Sequence, residues 1–112
     1  MAAVSARLFI LQAALLAPLV GCGPGTIPSF HADNPAARNA AIVDAAATGD
    51  TSSVPQLVRM LESSEPSTRL LAIETLERLT GETLGYDYAA APAERRAAVG
   101  RWREYVSEVS GR

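Results

Sequence analysis

Val54-Pro55-Gln56-Leu57-Val58-Arg59-Met60-Leu61 and Arg69-Leu70-Leu71-Ala72-Ile73-Glu74-Thr75-Leu76, joined through Ser63-Ser64-Glu65-Pro66, decide the fold. In the first stretch Val54, Leu57, Val58 and Leu61 recur at i, i+3, i+4 and i+7, one apolar stripe of a helix. Ser53 and Gln56 have capping-box spacing at its start, and Pro55 falls in the first turn. In the second stretch Leu70, Ala72, Ile73, Leu76 and Leu79 spread over a wide apolar face, as expected of a helix covered on two sides. Pro66 stands near its first position and Gly81 stops it.

Working outward, Asn34 is placed to cap a preceding Ala-rich helix, with Pro35 at its first position and Gly49 just past its end at Thr48. Downstream, residues 81–91 form a connection longer than the roughly 2–8 residues usual between packed helices. A last helix begins near Pro92, with Ala98, Trp102, Tyr105 and Val109 on one face, flanked by Val99 and Val106. Glu94, Arg101, Glu104 and Glu108 lie opposite. No stretch alternates with period two and β-branched enrichment, so the chain reads as all-α, with about four helices after the N-terminal region.

An internal repeat supports a stacked arrangement. Pro35-x-x-Arg38-x-x-Ala41-Ile42 returns as Pro66-x-x-Arg69-x-x-Ala72-Ile73, in the same phase. A helical unit recurring at such a period signals a short α-solenoid. Residues 34–80 resemble a HEAT repeat with a preceding half-repeat. The first helix carries a proline, and the second opens on an arginine and continues through an Ala- and Leu-rich face. The resemblance implies that helix 35–48 is the second helix of the half-repeat and the last helix a terminal cap, with Trp102 and Tyr105 closing the core. Two positions depart from the family pattern: Ser63 stands where the family often has Asp, and Thr68 where it often has Val. The resemblance does not extend to 81–91.

The N-terminal region is a separate matter. One positive charge, Arg7, precedes an apolar run from Leu8 to Val20, the layout of a secretory signal peptide. The run is too short to span a bilayer, which takes about 20 apolar residues. Leu19-Val20-Gly21-Cys22 closes it and resembles the lipobox of bacterial lipoproteins. That resemblance implies cleavage between Gly21 and Cys22, a lipid on Cys22, and a membrane-anchored, extracytoplasmic protein. Gly23, in place of an Asp, leans towards the outer membrane if the envelope is Gram-negative. The organisation expected is a signal peptide over 1–21, a lipidated cysteine and Gly/Pro-rich tether over 22–33, and a HEAT-like domain over 34–112. Fully extended, the tether reaches about 40 Å.

Composition agrees with one small domain. The chain has 112 residues, a formal net charge of −2 and one cysteine. One cysteine makes no internal disulfide, so packing alone must hold the domain. All ten basic residues are arginines, interleaved with acids and forming no basic stripe, which argues against nucleic acid as a partner. His31, in the tether, has no second histidine or nearby cysteine with which to hold a metal. Gly81-x-x-x-Gly85 lacks a following Lys-Ser/Thr and is not a P-loop. No nucleophile–base pair is apparent, so the expectation is a non-enzymatic protein without cofactor or metal. Arg38 and Arg69, in register, read as structural. Arg95, Arg96, Arg101 and Arg103, offset by glutamates, read as a solvated face. Tyr86-Asp87-Tyr88 sits in the longest loop, where it either contacts a partner or packs the loop across the helix ends. Two functions fit: a lipid-anchored module presenting a helical surface to a protein partner, or a passive envelope component without one.

Overall fold

The computed structural model describes residues 26–112. Among these it holds four α-helices and no strand: α1 Pro35–Thr48, α2 Val54–Met60, α3 Pro66–Thr80 and α4 Pro92–Ser110. None is long and apolar enough to cross a membrane. Gly21 and Cys22 lie outside the described residues.

Local chemistry sets most of the boundaries. Asn34 takes an extended conformation and its Oδ1 accepts the Ala36 N–H at 2.8 Å, the N-cap foreseen for α1. Gly49 and Gly81 end α1 and α3 in left-handed conformation, with φ of 66° and 80°. That region costs an L side chain energy, and glycine enters it freely. Pro35, Pro66 and Pro92 each open a helix where a missing N–H costs nothing.

The expected capping box at Ser53 and Gln56 is not formed. Ser53 is already helical, so it cannot present the extended backbone an N-cap needs. Asp50 does so instead. Its carboxylate accepts from the Ser52 N–H at 3.0 Å and from the Ser52 hydroxyl, and caps a 3₁₀ turn, Thr51–Ser53, that leads into α2. The Ser53 hydroxyl donates back to the Asp50 carbonyl at 2.6 Å.

α3 packs against both α1 and α2, and α2 against α4. Thr68 on α3 donates its hydroxyl to Asn39 Oδ1 on α1 at 2.7 Å, and Val43 and Ala47 lie beside Leu71 and Arg78, so α1 and α3 run parallel. Leu61 and Glu62 sit beside the start of α4, while Val54 and Pro55 sit beside its end, so α4 runs antiparallel to α2. Three helices therefore begin at one end of the unit, here the near end, and run towards the far end. The core between them is Ile42, Leu57, Leu61, Leu76, Val99 and Trp102, all fully buried. Each such aliphatic side chain contributes about 1.5–3 kcal/mol on burial.

Two further expectations need correction. Val109, assigned to the packed face of α4, is 51% exposed. The cause is length: α4 has 19 residues and α2 only 7, so the last turns of α4 overrun their neighbour. The segment before α1 is also less free than a tether to residue 33 implies. Ser29 N–H donates to Ala37 O at 3.1 Å, Arg38 holds the carbonyls of Ala32 and Asp33 at 2.7 and 2.8 Å, and Phe30 packs against the core. Residues 29–33 form no regular element, but they are fastened to α1.

Candidate interaction site

The signature Pro-x-x-Arg-x-x-Ala-Ile has a third copy that the sequence reading missed: Pro92-x-x-Arg95-x-x-Ala98-Val99. It escaped because the third copy falls at a shorter interval and Val replaces Ile. Its Ala and aliphatic positions are buried in all three helices, Ala41–Ile42, Ala72–Ile73 and Ala98–Val99. Its arginine does the same job each time. It folds back over the start of its own helix and donates to carbonyls of the preceding segment. Arg38 reaches Ala32 O, Arg69 reaches Ser63 O at 2.9 Å and Arg95 reaches Ala90 O at 2.6 Å. The three prolines fix the helix starts, and the three arginines bind the chain that leads into them.

Arg69 does more than the other two. It is 7% exposed, and its Nε also donates to Tyr88 O at 3.1 Å. One guanidinium thus joins α3, the α2–α3 turn and the long loop. The neighbouring Thr68 is completely buried and spends its hydroxyl on Asn39, a polar lock between α1 and α3.

The loop 81–91 runs from the far end of α3 back to the near end. Leu84 and Gly85 both have positive φ, 51° and 74°, and Tyr86 N–H donates to Thr83 O at 3.0 Å. Consecutive positive φ values are what a type I′ turn requires, and Leu is an uncommon residue there. α4 holds this turn closed. Trp102 Nε1 donates to Thr83 O at 3.0 Å and Arg101 Nε to Leu84 O at 2.7 Å. Gly85 leaves room for that arginine, since a Cβ would lie 3.0 Å from Arg101 Nη2. Trp102 is fully buried, with Tyr105 edge-on at 5.3 Å between ring centroids. These are the two residues expected to close the core.

Within Tyr86-Asp87-Tyr88 the two tyrosines turn towards the fold, and Asp87 stays exposed. Tyr86 is 6% exposed and its hydroxyl donates to Leu61 O, at the end of α2, at 2.6 Å. Burial raises its pKa above the usual 10.0, against the opposing pull of the Arg69 and Arg95 charges. Tyr88 is half-buried against the core, and the Asp87 carboxylate accepts the Ala89 N–H at 2.8 Å. The two tyrosines pack the loop across the helix ends. Among exposed acids, Asp50 is held below the usual carboxylate range, first by the Ser52 hydroxyl that donates to it.

Arg103 pairs with Glu62 through one Nη at 2.8 Å to each carboxylate oxygen, an exposed bridge between α4 and α2 of small energetic weight. Arg38, Arg69, Arg95 and Arg101 bind backbone carbonyls, so most of the basic residues noted in the sequence are occupied by the fold itself. His31 is exposed, and among the described residues no group of three or more His, Cys, Asp or Glu converges as a metal site would.

An open surface lies at the far end. A groove of about 520 Å³ runs between the start of α2, the end of α3 and the end of α4, lined by Val54, Pro55, Leu79, Tyr105, Val106 and Val109 together with Ser and Thr side chains. No charged side chain lines it. It lies opposite the end at which residues 29–33 join the fold. Compared with known proteins, the chain matches no protein family, no characterised protein and no solved structure.

Proposed function

We propose that this protein is a lipid-anchored, non-enzymatic interaction module on the extracytoplasmic face of a membrane, tethered through Cys22 and offering the far-end groove to an apolar segment of a partner protein. The observation that carries the reading is the placement of that groove. It is apolar and uncharged, and it lies at the end of the unit remote from the segment leading to Cys22. An occupant without charge suits it, because a charged group entering it would lose water and gain no partner. The half-exposed Val109 beside Tyr105 and Val106 supplies apolar contact area that the fold leaves uncovered.

The HEAT-like reading belongs to the same proposal. Three copies of one helical signature, and the packing of α1 on α3 and of α2 on α3 and α4, support a short α-solenoid. In that reading α1 is the second helix of a half-repeat, α2 and α3 form a full repeat, and α4 closes the stack over α2.

A cross-linker at Ser110, on the rim of the groove, in the membrane-borne protein tests the function. The expected result is one partner captured from membranes, lost in Val109→Arg, and lost when Cys22→Ser removes the anchor. Capture that survives Val109→Arg refutes the groove as the site. Absence of any partner, with copurification on cell-wall sacculi, supports the passive envelope component instead.

A further inference from the structure

We infer that the near end of the domain, where α1, α3 and α4 begin, lies against the lipid surface, with Ile27 seated among the headgroups and the far-end groove turned away from the membrane. This rests on the reading of Cys22 as the lipid anchor. Three observations carry it further than that reading does.

The first is the length of the leash. Ser29 is hydrogen-bonded to α1, so six residues, 23–28, separate the anchor from the fold. The seven steps from Cys22 to Ser29 span at most about 25 Å. At 1.5 Å per residue, α4 is about 28 Å long. The leash is shorter than α4, so the far end cannot be brought to the lipid while the near end faces away. The second is Ile27 itself. It is 82% exposed, the most exposed large apolar side chain among the described residues, and it lies five positions from Cys22. The described residues leave it largely uncovered, and the acyl boundary within reach of the anchor covers it. The third is charge. From Gly23 to Ala32 there is no Asp, Glu or Arg, and Asp33 is the first acid, so nothing in this stretch is repelled by anionic headgroups.

The test uses the mature chain carrying its lipid, inserted in vesicles of phosphatidylethanolamine and phosphatidylglycerol that contain a headgroup nitroxide quencher. The lipid consumes the thiol of Cys22, so an introduced cysteine takes a fluorophore at one site only. Labels are placed at Thr26→Cys, at Ser64→Cys in the near-end α2–α3 turn, and at Val109→Cys at the far end. Strong quenching at 26 and 64 with none at 109, and reduced quenching at 64 when Ile27→Asp is added, is the expected pattern. Equal quenching at 64 and 109, or no change on adding Ile27→Asp, overturns the inference. The mass of the same sample separates the two levels of argument. A chain without diacyl mass removes both the anchor and this inference, whereas a lipidated chain with uniform quenching removes only the inference.

Discussion

Arg38 and Arg69 occupy the same place in the same sequence signature, yet they should differ about threefold in what they contribute to stability. Arg69 is 7% exposed and donates to Ser63 O and Tyr88 O from separate nitrogens. Hydrogen bonds from a charged donor are worth about 1.5–3 kcal/mol each, so truncating Arg69 removes a gross 3–6 kcal/mol. Both carbonyls sit at surface segments and regain water, which brings the expected cost of Arg69→Ala to about 3 kcal/mol. Arg38 donates to Ala32 O and Asp33 O from one nitrogen, at a half-exposed site, and holds only the short segment before α1. Arg38→Ala should cost about 1 kcal/mol. Arg69→Lys tests the geometry, since an ammonium cannot span both carbonyls as the guanidinium fork does, and it should recover less than half of the loss. Urea unfolding followed by far-UV circular dichroism and Trp102 fluorescence reads these values as shifts in midpoint at constant slope. Equal losses for the two alanine variants, or full recovery in Arg69→Lys, would refute the assignment of Arg69 as a three-way junction.

Other outcomes follow from the same geometry. Trp102→Ala should cost about 3–5 kcal/mol, most of what a domain of this size holds, while Trp102→Phe should cost about 1–2 kcal/mol because Thr83 O keeps its bond from the Tyr86 N–H; a Trp102→Ala protein melting at the wild-type temperature contradicts the packing role. Tyr86→Phe should cost about 1 kcal/mol at neutral pH by leaving Leu61 O without its donor. That difference should shrink as pH rises through 10. The unfolded chain ionises Tyr86 at its usual value, whereas the folded chain, with its pKa raised, still holds the proton, so stability present below pH 10 is lost above it. The chain has no lysine to obscure this range; a gap that stays constant or widens on titration to high pH would contradict the buried, hydrogen-bonded hydroxyl.

The sequence made some features readable and hid others for a physical reason. The starts at Pro35, Pro66 and Pro92 and the stops at Gly49 and Gly81 follow from chemistry within a few residues of each boundary, and these were legible. So was the core stripe Val54, Leu57, Val58 and Leu61, since helical period alone places it on one face. Ser53 misled because Asp50, three residues earlier, starts a 3₁₀ turn that leaves Ser53 already helical, and that turn shows only in the backbone. Val109 misled because periodicity says which face a residue lies on but not whether a neighbour extends that far. The side of Tyr86 was undecidable, since a loop tyrosine finds its carbonyl 25 positions away in a contact that no local pattern encodes. The groove was invisible for the same reason, being built from the ends of three helices that meet only after folding.

The fastening of residues 29–33 to α1 has a mechanical consequence. A pull on the chain upstream of Ser29 enters the fold through residues 29–33. It first reaches the Arg38 clamp and Phe30, then α1, whose main neighbour is α3. Tension along that path peels α1 from the side of α3, opening the Asn39–Thr68 lock and the seat of Ile42 one contact after another. The hairpin of α2 and α3, with α4 laid over it, stands outside the force path until α1 has gone. A protein built this way gives under load in two stages, with its outermost helix as the sacrificial one.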